Sequence, residues 1–141
     1  MERVVVALVL VAGAVVVALV LQRRRPDPPA AAGWAVPQQV DRADFAEPAT
    51  PWLVAVFTSA TCDACAATVA KAEALRSPSV AVQEVELGAA SGLHRRYAID
   101  AVPLLVLADA EGVVRASFVG PPTATDLWAA VADVRESGEP G

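Results

Sequence analysis

The hydrophobic pattern divides the chain into an apolar N-terminal run and a domain of short alternating segments. Val4 to Leu21 is an uninterrupted stretch of 18 residues without a charge. At helical rise it spans about 27 Å, close to the ~30 Å hydrocarbon core of a bilayer. The pattern predicts a transmembrane anchor in residues 1–25, helical over 4–21. A cleaved signal peptide is the competing reading, but its apolar core usually runs only ~7–15 residues. Here Arg23-Arg24-Arg25 stands where a small-residue cleavage site would begin.

Beyond the arginines, residues 26–39 are rich in Pro and Ala and read as an extended, semi-rigid linker. Trp34 within it fits either the membrane interface or a cover over the domain. The folded domain is expected over 40–137, with a disordered tail at 138–141. Residues 41–45 (DRADF) suit a strand edge or a helical turn, with Phe45 as a core anchor. Pro48 and Pro51 precede a strand at Leu53–Phe57. A helix is predicted from Ala66 to Arg76, stopped by Ser77-Pro78.

Val80–Leu87 has strand composition, and Leu93–Tyr97 is a short helical stretch. Leu104–Ala108 is fully apolar, as expected of a strand covered on both faces. Asp109-Ala-Glu-Gly112 is a hairpin turn leading to a strand at Val113–Val119. After Gly120-Pro-Pro122, Thr125 is the expected N-cap of a last helix with Leu127, Val131 and Val134 on one face. The order β-α-β-α-β-β-α predicts an α/β domain: a central mixed β-sheet flanked by helices and preceded by one transmembrane helix. Phe57, Val54, Leu105 and Val106 are expected in its core, with Tyr97 and Ile99 packing the short helix onto the sheet. Trp52 is expected at the sheet edge and Trp128 partly exposed.

Charge narrows the function classes. The chain of 141 residues carries a formal net charge of −5 and has no basic stripe outside the juxtamembrane arginines. Nucleic-acid binding is thereby excluded as an expectation. Arg23, Arg24 and Arg25 favour a cell-membrane, single-pass protein with its domain on the cytoplasmic side, the extracytoplasmic arrangement being the alternative. Membrane lipid is the expected partner of residues 4–25.

The only two cysteines are Cys62 and Cys65, in the sequence Phe57-Thr-Ser-Ala-Thr-Cys-Asp-Ala-Cys-Ala66. A C-x-x-C that opens a helix brings both sulfurs within reach of one disulfide. It also aims the first sulfur at unpaired N–H groups, where a thiolate is stabilised. Strand, loop, motif and helix follow in the order expected of a dithiol redox site.

Cys62-Asp-Ala-Cys65 after a buried strand, Ala101-Val-Pro103 before the strand Leu104–Ala108, and Glu111-Gly112 with Gly120 around the last strand together resemble the thioredoxin-like family. The resemblance covers about Val40 to Glu136 and extends to membrane-anchored thioredoxin domain proteins. It implies a thioredoxin-like fold in which Pro103 is cis and lies against the dithiol, with Val102 before it. It also implies thiol–disulfide exchange, with Cys62 as nucleophile and Cys65 as resolving thiol. Val102, Pro103 and Thr61 would then border the substrate. The implied partners are a disulfide-containing protein substrate and a thiol electron donor, with no cofactor and no metal.

Two positions depart from the family pattern. Thr61 stands where a Trp commonly precedes the first cysteine, which removes an apolar docking surface. Val56 stands where reducing members often carry a buried Asp that handles the proton of the second cysteine. Asp63, expected in the first helical turn, favours the helix there but opposes a thiolate at Cys62, which tunes the pair toward a reducing couple.

Two other readings compete with exchange. In one, the domain is a tethered binding or scaffold module whose disulfide is regulatory or inert. In the other, the thiolates bind metal, for which His94 is the one further ligand candidate. His94 lies among charged neighbours in Leu93-His-Arg-Arg-Tyr97 and is expected on a solvated helix face. No Ser–His–Asp set, phosphate loop or paired-carboxylate site is legible.

Overall fold

The computed structural model describes the backbone of residues 1–23 and 34–138, and side chains over 1–17 and 34–137. The flank Arg23–Arg25, most of the expected linker and the tail from 139 onward lie outside the described side chains. In the N-terminal region, α1 (Glu2–Arg23) is a continuous helix. Its described large apolar side chains, Val4 through Val17, are all exposed. Among the described residues no helix is long and apolar enough to cross a membrane.

Four strands form one sheet: β1 (Trp52–Thr58), β2 (Val80–Glu86), β3 (Leu104–Ala108) and β4 (Val114–Val119), in the spatial order β2-β1-β3-β4. β1 is parallel to β2 and antiparallel to β3, and β4 is antiparallel to β3. The mixed sheet follows from the connections. A parallel neighbour requires a helical crossover, whereas β3 and β4 need only a tight turn. That crossover is α2 (Cys65–Glu73).

Side-chain alternation along β1 divides the core into two layers. Leu53, Ala55 and Phe57 pack with Val40, Phe45 and Val106, joined by Leu93, Tyr97 and Ile99 around α3 (Ser91–Arg96). Val54 and Val56 face α2 and α4 (Ala124–Gly138), meeting Ala72, Leu75, Leu127 and Val131. Helices thus cover both faces. Leu53 through Phe57 are completely buried, and burying Phe57 alone stabilises the fold by roughly 1.5–3 kcal/mol.

Several boundaries differ from the sequence-based expectation. The 41–45 segment resolves to a 3₁₀ turn, Arg42–Asp44, capped by the Asp41 side chain. α2 ends at Glu73 rather than Arg76. The cap of α4 is Thr123, not Thr125. Its hydroxyl accepts the Asp126 N–H at 3.1 Å and donates to the Asp126 carboxylate at 2.7 Å. That reciprocal pair needs an acidic residue three positions on, which Thr123 has and Thr125 lacks.

His94 corrects a further expectation. It is 4% exposed, not solvated. Its ring packs edge-on to Phe57, with centroids 5.3 Å apart, and Nε2 donates to the Val85 carbonyl at 2.8 Å. Val85 lies on the edge strand β2, and the histidine adds a donor to its carbonyl while its ring fills the core.

The N-terminal segment is fastened to the hairpin between β3 and β4. Val40 N–H donates to Gly112 O at 2.8 Å, and Val114 N–H donates to Gln38 O at 3.0 Å. The buried Arg42 guanidinium donates to the carbonyls of Asp109 (2.9 Å) and Thr50 (2.8 Å). The Asp109 carboxylate accepts from the backbone N–H groups of Glu111 and Val113 and from Arg115 Nε. Gly112 sits at φ +81°, where a β-carbon would run into the Val40 carbonyl. Gly112→Ala should therefore cost about 2–4 kcal/mol in urea unfolding, through strain and loss of the Val40 contact. A loss below ~0.5 kcal/mol would show that the close approach is not there.

Candidate functional site

The site lies at the C-terminal end of β1. After Thr58 the chain makes two successive turns, Cys62 N–H to Ser59 O (3.2 Å) and Cys65 N–H to Cys62 O (3.3 Å). α2 then begins at Cys65, with Ala64 as its N-cap residue. Cys62 and Cys65 are joined in a disulfide, their Cα atoms 5.4 Å apart. Cys65 is buried at 3% exposure, whereas Cys62 is partly exposed. The helix thus opens on the second cysteine, and Cys62 occupies the turn ahead of it. Asp63 also precedes the helix and is exposed, so it is not a residue of the first helical turn. The reason is local: the Cys62 carbonyl closes a turn to Cys65 before the first bond from Thr68 N–H to Ala64 O at 3.2 Å.

The Val102–Pro103 peptide bond is cis. Pro103 immediately precedes β3, whose Leu104 pairs with Phe57 at the C-terminal end of β1. The proline and the dithiol turn therefore share one end of the sheet. Pro103 is buried and its carbonyl accepts the Gly120 N–H at 2.8 Å, while Val102 is half-buried. No backbone hydrogen bond of Val102 is made among the described residues. The chain reaches this position from α3 through Ala98 at φ 52°, with Ile99 N–H bonded back to His94 O at 2.9 Å.

Thr61 is exposed beside Cys62, and Val56 is completely buried in the layer shared with α2. No carboxylate occupies the Val56 position inside the sheet. Two acidic residues that the sequence reading did not single out lie at the end of β2. Thr58, 1% exposed, donates its hydroxyl to Glu84 Oε1 at 2.8 Å. Glu86 accepts backbone hydrogen bonds from Gly88, from Ala89 at 2.9 Å, and from Ala60. These bonds hold its carboxyl below the usual carboxylate range, with a smaller contribution from His94. The signal was available: Glu84 and Glu86 are two apart on a strand and therefore share a face.

Two clefts of about 500 and 490 Å³ lie at the other end of the sheet, around the hairpin and residues 39–42 or beside Trp52 and Arg115. Neither is lined by the dithiol or Pro103, so they are apart from this site. Among the described residues no three His, Cys, Asp or Glu side chains are grouped to hold a metal ion.

The fold is shared with solved structures. A malarial protein matches with a TM-score of 0.55 at 18% identity, over 60% of this chain and 97% of that one. A thioredoxin of Fasciola hepatica matches with a TM-score of 0.52 at 24% identity, over 59% of this chain and 80% of its own. The chain has a thioredoxin-like fold. Thioredoxin-2, described as a component of the malaria parasite protein secretion machinery, matches at 0.53 and 19% identity, over 59% and 82%. No family model and no curated protein matches the sequence. At these identities the likeness concerns the thioredoxin-like fold; the chemistry is argued from the residues.

Glu86 gives this site a pH dependence of known sign. A carboxyl depressed in the folded state adds stability above its unfolded value, near ~4.3, and that stability is lost as pH falls through the folded value. In urea unfolding, wild type should exceed Glu86→Gln by a constant margin above about pH 5, and the margin should shrink in acid. A margin independent of pH would refute the backbone contacts to this carboxylate.

Proposed function

We propose that the protein is a thiol–disulfide oxidoreductase that reduces substrate disulfides through Cys62 and Cys65, tethered to a membrane by its N-terminal helix. The observation that carries the redox reading is the Cys62–Cys65 disulfide in a turn at the end of β1, beside Pro103. The difference in burial supports the division of labour. In the reduced protein, the partly exposed Cys62 attacks a substrate disulfide as thiolate. One S–S bond breaks, a Cys62–substrate bond forms, and a substrate thiolate leaves and takes up a proton. Cys65 then loses its proton and attacks the Cys62 sulfur. This forms the intramolecular disulfide and releases the second substrate thiol. Two electrons pass to the substrate, and a thiol donor restores the dithiol. Val102, whose backbone groups are unused, and Thr61 flank the place where an extended substrate segment would lie.

Val56 and Thr61 favour a second reading, a binding module with an inert or regulatory disulfide. Neither supplies the buried carboxylate or the apolar docking surface that fast exchange would use. Trapping separates the two. Cys65→Ser should accumulate mixed disulfides through Cys62 and lose insulin reduction by at least about 100-fold, whereas Cys62→Ser should trap nothing. Wild type that reduces no insulin, together with a Cys65→Ser variant that traps nothing, would establish the module reading.

The tether rests on the apolar run Val4–Leu21 and on the exposure of the described α1 side chains, which are apolar all round. Arg23, Arg24 and Arg25 favour a cytoplasmic domain. Alkaline extraction should leave the full chain in the membrane pellet. In intact cells a membrane-impermeant maleimide should label Cys62 only after lysis. Labelling before lysis would reverse the orientation, and release by alkaline extraction would remove the tether.

A further inference from the structure

β2 places two carboxylates against the segment that leads to Cys62. Glu84 receives the hydroxyl of the buried Thr58 at 2.8 Å, and Glu86 receives the N–H of Ala60, two residues before Cys62. Register explains why they act together. Thr58 pairs with Glu86 and Val56 with Glu84, so both glutamates flank the last turn of β1 on the α2 side of the sheet. Leu87 N–H adds a backbone bond to Thr58 O at 2.9 Å. Glu86 also ties in the following loop through Ala89 N–H, and a side chain at Gly88 would crowd its Oε2 at 2.9 Å. The start of the Cys62 turn is therefore held by carboxylate oxygens rather than by apolar packing alone.

We propose that Glu84 and Glu86 are positioning residues for the dithiol: they fix Thr58–Ala60, and with it the turn presenting Cys62, while their charge holds the reduced Cys62 toward its thiol form. The inference rests on the exchange reading above. Like charge beside a sulfur disfavours its thiolate, and a reduced form without a stabilised thiolate is more readily oxidised, which makes the couple more reducing. Asp63, in the same turn, adds charge of the same sign, and the segment before Pro103 carries the exposed Asp100. His94 on α3 is the opposing group that acts on Glu86. The two glutamates thus contribute from β2 a charge that the buried Val56 position does not.

The test uses the reduced full chain with Glu84→Gln, Glu86→Gln and the double variant, which keep the shape and remove the charge. Iodoacetamide alkylation of Cys62 is followed against pH by peptide mass spectrometry, beside the equilibrium with glutathione and thermal unfolding. In the double variant, alkylation at neutral pH should rise about threefold and its midpoint should move to lower pH. The glutathione equilibrium should shift toward the reduced form by a similar factor. Each single variant should give a smaller shift in the same direction, which serves if the double variant does not fold. Superimposable alkylation profiles would overturn the proposal. So would a change that appears only in variants whose unfolding temperature collapses. Failure of the exchange reading is recognised separately, by the absence of trapped mixed disulfides in Cys65→Ser.

Discussion

The structure depends on the burial of β1 on both faces. A strand with no solvent-facing side must have both rows of backbone groups paired and both rows of side chains covered. β2 and β3 supply the pairing. The 40–45 segment with α3, and α2 with α4, supply the cover. Because β2 runs parallel to β1, the chain must leave β1 at its C-terminal end and return through a helix. The turn that begins this crossover carries Cys62, and the helix opens on Cys65. The location of the dithiol is thus a consequence of which strand is most deeply buried.

Much of this was readable in the residues. Leu104–Ala108 coincides with the predicted strand because five consecutive apolar residues between a proline and an Asp-x-x-Gly turn admit little else. The last helix shows its face through Leu127, Val131 and Val134 for the same reason of period. His94 was misread because its neighbours in sequence are charged, whereas its neighbours in space are Phe57 and the backbone carbonyl of Val85. Sequence patterning sees the first set only. The choice of Thr123 over Thr125 turned on Asp126, three residues beyond the former, a local signal that the apolar pattern overshadowed.

At the dithiol, charge and burial are arranged unusually. The interior beside α2 is apolar at Val56, and the acidic groups lie around the turn, on Asp63, Glu84 and Glu86. A carboxylate inside a protein exchanges protons in a poorly solvated setting, whereas one at the rim acts through orientation and a screened field. The sequence pattern of a C-x-x-C and a Val-Pro does not distinguish these cases. The strand register does, because it shows which residues of β2 meet the end of β1.

The attachment of the N-terminal segment has a mechanical consequence. Gln38 and Val40 are laced to Val114 and Gly112, and Arg42 to Asp109, all at the hairpin end of the sheet. A force transmitted along the incoming chain enters the domain there and is borne by that lacing and by β3 and β4. The Cys62 turn stands at the far end of the strands, off the line of load. The entering chain can be tugged without pulling directly on the sulfurs, so the point of chain entry and the disulfide are mechanically separated within one small sheet.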